Sequence, residues 1–281
     1  MKVASVNYKS ASAEKVFTNS LKHTGFGILE NHPVNWELIE SVYKEWRSFM
    51  TSETVNNYYY NKNTQDGYFP PDVSEVAKGE KHKDLKHYFH LYFPWGQYPH
   101  ELSDNAKKLF EQLYQLGQEL LKWIDNNLDI NIAKKLKESF SDSISYERTL
   151  LRILHYPALK GSEEKGAIRA AAHEDINLIT LLPVASSPGL EIYSKYDNSW
   201  HEVSCKPKSI IVNIGDMMQE MTEHQYIATK HRVVNPKAEK KSSDRMSIPC
   251  FIHAKANTYL SKKYPTAADF LNERLIELGV K

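Results

Sequence analysis

Cysteine is almost missing from the chain. Its 281 residues hold two, Cys205 and Cys250, far apart and in no CxxC spacing. That argues against a disulfide framework or a structural zinc site, and makes a reducing cytoplasm the expected compartment. Long apolar runs are missing too: none approaches the roughly 20 residues that span a bilayer. The opening MKVASVNYKSASAEK lacks the apolar core of a secretory signal. Neither sign of charge is in excess, with 36 basic against 35 acidic side chains and a net charge of +1. No electrostatic footprint for nucleic acid or for an anionic membrane results. There is no internal repeat and no low-complexity linker. Nothing forces an oligomer, so a monomer is the default.

What is present is an ordinary globular composition, 41% apolar and 25% charged, in a chain long enough to bury a substantial core. The aromatics stand out: 17 Tyr and 5 Trp, many of them between residues 36 and 100. They fit either a Tyr-rich surface and core edge or an aromatic-lined pocket.

The first half reads mainly helical. In WELIESVYKEWRSFM, Ile39, Val42, Tyr43, Trp46, Phe49 and Met50 recur at helical spacing. A later stripe of Ala106, Leu109, Phe110, Leu113, Gly117, Leu120 and Ile124 predicts another helix, with Ser103 as its N-cap. GFGILENHPV reads as a short strand and turn, TQDGYFPPD as a loop, and DLKHYFHLYFP as an aromatic strand. The second half changes period. RTLLRILHYP, LITLLPV, GLEIYS, WHEVSC, SIIVNIG, HRVVN and MSIPCFIHA are short β-rich runs separated by turn signals, with no alternating helices. That pattern predicts a sandwich or jelly roll. The end, PTAADFLNERLIELG, reads as a helix capped by Thr266 with Asp269 at the capping-box position and Gly279 as its stop.

Chemistry concentrates in AAHEDINLITLLP. Side chains two apart in a strand share a face, so His173 and Asp175 would point together and Glu174 away. As a helix the stretch would begin the zinc-protease pattern HExxH, but Asn177 stands where the second histidine is needed. Of the twelve histidines, His231 in ATKHRVVNP is best placed to complete a set, since it follows a polar loop and precedes a β-branched pair. Two histidines and one carboxylate with open positions form the facial triad of non-haem Fe(II) oxygenases.

With these residues in view, the chain resembles the Fe(II)/2-oxoglutarate-dependent dioxygenases of the isopenicillin N synthase-like family. The resemblance rests on His173-x-Asp175, His231 and Arg245-x-Ser247, within PGLEIY, IIVNIGDMMQ, ATKHRVVNP and RMSIPCFIH in the family's order. GFGILENHPV, GYFPP and DLKHYFHLYFP resemble its N-terminal region, so nearly the whole chain is covered. The resemblance implies a mixed α and β fold with a mainly β core, a double-stranded β-helix (jelly roll) flanked by N-terminal helices and a C-terminal helix. It would be a single domain: an N-terminal helical region over 1–145, a jelly-roll core over 146–256 and a C-terminal helix over 257–281. It implies Fe(II) on His173, Asp175 and His231, with 2-oxoglutarate and O2 as cosubstrates. Arg245 and Ser247 would bind the distal carboxylate of 2-oxoglutarate, and a guanidinium and a hydroxyl on one strand face suit a carboxylate. Tyr156 matches a family tyrosine that often supports that carboxylate. Arg152 shares its strand face and would reach cosubstrate or substrate, or else make a surface salt bridge.

The expected substrate is a small molecule. The family shapes its pocket with N-terminal aromatics, here Tyr58, Tyr59, Tyr60, Tyr68, Phe69, Tyr88 and Phe89, and with the C-terminal strand, where Phe251 and His253 alternate with Ile252. Hydroxylation, desaturation and ring closure stay open as outcomes. Asp175 argues against the related halogenases, which lack the carboxylate ligand. One departure stands out: His224 in TEHQY lies near a usual family glycine, so either the turn differs, or His224 faces the substrate, or it is an exposed loop histidine. Glu174 has a direction but no role. The rival functions are an Fe(II) oxidase of the same fold that does not use 2-oxoglutarate, and a non-enzymatic β-sandwich binding module.

Overall fold

The computed structural model describes residues 2–73, 83–236 and 243–277. Along these residues the strands are β1 Ser5–Asn7, β2 Phe26–Glu30, β3 Gly67–Phe69, β4 His87–Tyr92, β5 Leu150–Tyr156, β6 Ala170–His173, β7 Ile179–Pro183, β8 Leu190–Ser194, β9 Ser199–Glu202, β10 Ile210–Ile214, β11 His231–Val233, β12 Arg245–Ser247 and β13 Cys250–Ile252. The helices are α1 Ala13–Thr24, α2 Trp36–Met50, α3 Asn105–Asn126, α4 Ile130–Ala133, α5 Phe140–Ser143, α6 Asp216–Met221 and α7 Ala267–Glu277.

Two sheets form. The larger runs β1-β2-β10-β7-β13-β5-β4-β3, with β12 added on β5, and the smaller runs β6-β11-β8-β9. Burial explains the division. β10 (IIVNI) is buried at every position, as a strand must be when both its faces are covered. One face meets the helices and the other the smaller sheet. β8 instead alternates buried and half-buried residues, the signature of a sheet with one face towards water. This is the jelly roll expected from the sequence. From the helical half of the chain, β2 pairs with β10 and β4 with β5, while β1 and β3 extend the edges on β2 and β4, so all four belong to the same sheet as the second half.

The helices form where the periodicity predicts. Asn35 caps α2, its side chain accepting from Leu38 N at 3.1 Å, and Thr266 caps α7 in a reciprocal pair with Asp269. The α3 stripe is buried along its length, and each such apolar side chain contributes about 1.5–3 kcal/mol. Gly117 belongs to that stripe because a Cβ there would come within 3.0 Å of Ile252.

Several local expectations need correction. The N-cap of α3 is Asp104, one residue after Ser103, whose hydroxyl accepts from Asn105 N. TQDGYFPPD is not all loop, because Gly67–Phe69 pair with β4 as β3. Alternating helices are indeed missing between β5 and β13, where α6 is the one helix among the described residues and follows β10 directly. Gly279 lies outside the described residues.

Candidate metal and cosubstrate site

β6 and β11 are antiparallel neighbours, and their register sets His173 directly opposite His231. Each ring is aimed by its own backbone: His173 Nδ1 faces Ala171 O at 2.8 Å, and His231 Nδ1 faces Thr229 O at 3.1 Å. A carbonyl can only accept, so each Nδ1 carries the proton and each Nε2 is left with its lone pair pointing inward.

Asp175 does not share a strand with His173, as i/i+2 alternation had predicted. β6 ends at His173 and β7 begins at Ile179, so the carboxylate sits on the turn between the two sheets. That turn is clipped to α6. Asp216 N donates to Asp175 O at 2.7 Å, and Met217 N to Ile176 O and Asn177 O at 3.2 Å each. The N–H groups that a helix start leaves unpaired are thus spent on the turn's carbonyls. Gly215 makes the approach possible: a Cβ there would lie 2.2 Å from Asn177 O.

The carboxylate is divided between two tasks. Oδ2 accepts from Thr180 Oγ1 at 2.6 Å and from Asn213 Nδ2 at 2.8 Å. Oδ1 faces His173 Nε2 and His231 Nε2 at 3.7 Å each, too far for hydrogen bonds. Burial opposes charge on Asp175, but the two imidazoles and the bonds from Asn213 and Thr180 outweigh it and hold the carboxyl below its usual range. Burial and then His231 push His173 down to about 4. The two imidazoles and the carboxylate, with donor atoms all within 4.8 Å of one another, form the one group of three metal-ligating side chains among the described residues. Two nitrogens and one oxygen converging from one side suit a divalent transition ion with its other positions open.

A second cluster lies further along β5. β12 pairs with it so that Arg245 faces Tyr156 and Ser247 faces Leu154. Arg245 is almost fully buried; its Nε donates to Ser187 O at 3.0 Å, while its NH1 is buried with no partner. Its guanidinium carbon stands 5.0 Å from the Tyr156 ring centroid, and that of Arg169 stands 6.0 Å from the same ring. Arg169, 1% exposed, has its pKa lowered by burial and then by Arg245. Two buried guanidiniums around one tyrosine, each with an unused donor nitrogen, form a cradle for a carboxylate.

Residues 148–254 match the 2OG-Fe(II) oxygenase superfamily, and residues 7–115 match the family described as non-haem dioxygenase in morphine synthesis N-terminal. A Shewanella oneidensis protein solved under the description of an oxygenase is 45% identical, with a TM-score of 0.89 and full coverage of both chains.

The chain belongs to the 2OG-Fe(II) oxygenases of the isopenicillin N synthase-like superfamily.

Its fold is shared by a full-length Neurospora crassa protein solved in complex with alpha-KG, at 22% identity, TM-score 0.81, and 98% and 96% of the two chains. A bi-functional coumaroyl CoA and feruloyl CoA ortho-hydroxylase of Ipomoea batatas is 22% identical over 89% of this chain and 69% of its own length. The oxygenase accordingly works with Fe(II), 2-oxoglutarate and O2, and the residues above fit that set: a facial triad for the ion and an orphaned buried guanidinium nitrogen for the carboxylate.

The remaining side chains expected near the site divide by sheet face. Arg152, Leu154 and Tyr156 point inward from β5. The Arg152 guanidinium carbon lies 4.7 Å from the Tyr88 ring centroid and 5.3 Å from that of Phe251. Phe69 stacks on Tyr88 at 4.7 Å and on Tyr60 at 4.4 Å. Tyr68 is a correction. It pairs with Phe89 on the opposite face, and its hydroxyl meets His87 Nδ1 at 2.9 Å in a buried chain that continues through His155 to Asp244 and Arg47. Tyr58 and Phe89 also belong to that helix-side core, and Tyr59 is exposed. Glu174 turns from the triad towards Asp216, whose carboxyl is raised to about 7 by burial and then by Glu174. His224 is exposed and sits at φ 64 after Glu223 at φ 49, so the turn keeps a left-handed backbone that glycine would adopt without strain.

Sequence reasoning missed Thr180, Asn213 and Arg169. The first two carried a readable signal, a polar residue inside the buried runs ITLLP and IIVNI. Arg169 carried none beyond its position shortly before His173.

Proposed function

We propose that this oxygenase oxidises an unactivated C–H position of a small-molecule metabolite by hydroxylation, desaturation or oxidative ring closure. His173, Asp175 and His231 hold Fe(II), and Arg245, Ser247 and Tyr156 hold 2-oxoglutarate. The observation that carries this reading is the division of labour at Asp175: Oδ2 is locked by Thr180 and Asn213, and Oδ1 is left to face two imidazole lone pairs.

Oxidative decarboxylation of 2-oxoglutarate to succinate and CO2 at the ion supplies the oxidising power. The chain's own residues do the rest. The backbone carbonyls of Ala171 and Thr229 hold each imidazole in the tautomer that presents Nε2. The inner sheet face, with Phe69, Tyr88 and Phe251, gives apolar walls that exclude water from the reacting carbon. Arg245 and Ser247 set the cosubstrate's depth by fixing its far end. Asp175 fills the position that a halide would need, which disfavours halogenation. The small-molecule substrate class is supported by the relatives' substrates, coumaroyl and feruloyl CoA.

The test is aerobic incubation with Fe(II), 2-oxoglutarate and a metabolite extract, read by mass spectrometry together with succinate. A product gaining one oxygen or losing two hydrogens, with one succinate formed per product, is expected. O2 consumption and product without succinate would instead identify an oxidase of the same fold that does not use 2-oxoglutarate.

A further inference from the structure

Consecutive side chains at the start of β12 go to opposite faces of the larger sheet. Arg245 faces the barrel interior with Tyr156, its partner on β5. Asp244, one residue earlier, turns to the helix side. There Arg47 of α2 donates through NH1 to Asp244 Oδ1 at 2.5 Å, and His155 of β5 donates through Nε2 to Oδ2 at 2.9 Å.

The bond to His155 fixes every proton behind it. A carboxylate only accepts, so His155 carries its proton on Nε2 and offers Nδ1 as an acceptor. His87 Nε2, 2.6 Å away, is then the donor, and His87 Nδ1 accepts from the Tyr68 hydroxyl at 2.9 Å. Burial favours the neutral form of both rings: it is the largest influence lowering His87 to about 4 and His155 below its ordinary value. The chain therefore runs one way, from Tyr68 to Asp244, with one donor and one acceptor at each link.

The same stretch meets the cosubstrate cradle from the other side. Ser243 O accepts from Arg169 NH2 at 2.8 Å. Arg245 Nε donates to Ser187 O, which leaves the buried NH1 for a ligand. A carboxylate inside the cradle would compete with an anionic ligand for both guanidiniums. The bonds to Arg47 and His155 hold the Asp244 carboxylate on the far face instead.

We infer that Asp244 is a positioning residue for 2-oxoglutarate: tied to Arg47 and His155 across the sheet, it seats the start of β12 and so aims Arg245 at the cosubstrate's distal carboxylate. The inference rests on the function proposed above. β12 is only three residues long, so its first residue depends on what holds the residue before it. Loss of Asp244 frees that end, and the guanidinium then meets the cosubstrate in more than one pose. Arg47 is the accessible handle on this contact, with its side chain 41% exposed against 6% for His155.

Calorimetry on anaerobic, Fe(II)-loaded protein reads 2-oxoglutarate affinity directly. Asp244→Ala should weaken 2-oxoglutarate about tenfold, the scale of a lost charge-assisted hydrogen bond, and leave Fe(II) affinity unchanged. In an Arg245→Ala background the same substitution should cost less than about twofold, because it acts through Arg245. Arg47→Met tests the contact from the surface, where folding is not at risk. It should weaken 2-oxoglutarate about threefold, and Arg47→Lys should recover most of that loss. Equal losses in the two backgrounds would show that Asp244 supports the fold and not Arg245, and the inference fails. It fails too if Asp244→Ala leaves 2-oxoglutarate affinity unchanged, or if Fe(II) binding falls in step. Should Asp244→Ala not fold, Arg47→Met with and without Arg245→Ala decides by the same criterion. A wild type that binds Fe(II) but no 2-oxoglutarate overturns the function beneath as well.

Discussion

Thr180 Oγ1 donates to Asp175 Oδ2 at 2.6 Å, and that bond, with the one from Asn213, fixes the carboxylate so that Oδ1 alone faces the two imidazoles, as the proposed Fe(II) site requires. Thr180→Val keeps the shape and removes the donor. Metal affinity should fall about 10- to 100-fold, the usual cost of losing a partner that orients a ligand. Anaerobic Fe(II) or Co(II) titration measures it; an unchanged affinity would deny Thr180 its orienting role.

Arg245→Ala should raise the 2-oxoglutarate concentration needed for half-maximal succinate release. A charged hydrogen bond contributes about 1.5–3 kcal/mol, so the rise should be about tenfold to a hundredfold. Fe(II) binding should change little, because Arg245 lies against Ser187 and Tyr156 and not against the triad. Collapse of metal binding with 2-oxoglutarate affinity intact would contradict the assignment. Arg169→Met should weaken 2-oxoglutarate in the same direction.

Acid should destabilise the metal-free protein. His87 is lowered to about 4 by burial and then by His155, and His253 to about 4 by burial and then by Arg148. The unfolded chain protonates them near 6.5, so their neutral forms stabilise the fold above that pH. This stability is lost as pH falls from about 6.5 to about 4, each group adding a slope of up to about 1.4 kcal/mol per pH unit. Asp216, raised to about 7 by burial and then by Glu174, has the opposite sign and loses stability as pH rises to about 7. Two histidines outweigh one carboxyl, so the midpoint should still fall towards acid. Thermal scans from pH 4 to 8 check this, and His87→Asn should flatten the profile.

Gly215→Ala should loosen the Asp175 turn. Gly215 has φ −105, which alanine adopts freely, so any effect is steric: the new Cβ would meet Asn177 O at 2.2 Å. Overpacking of this kind costs about 1–3 kcal/mol. Both thermal stability and metal affinity should drop, and retention of both would show that the turn can move at little cost.

The sequence announced the fold through period: strict β runs after residue 146, and helical stripes before and after them. It announced the triad through residue type. It misjudged how Asp175 arrives there. Alternation within one strand and a turn clipped to a helix both bring residues i and i+2 together, and only α6's N–H groups bonding the turn distinguish them. Tyr68 was misplaced for a related reason. Period 2 says that Tyr68 and Phe69 face opposite ways but not which face is the pocket, and the hydrogen bond to His87 decides it. Arg169 lacked any motif, because its place beside Arg245 and the Tyr156 ring comes from tertiary packing, which no linear pattern encodes.

The most direct test of the central claim is metal binding and 2-oxoglutarate-dependent succinate release by the wild type beside His173→Ala, Asp175→Ala and His231→Ala. Each substitution should abolish succinate release and weaken Fe(II) binding by orders of magnitude while the fold persists. Wild-type metal binding and succinate release in any one of the three would contradict the assignment of the site.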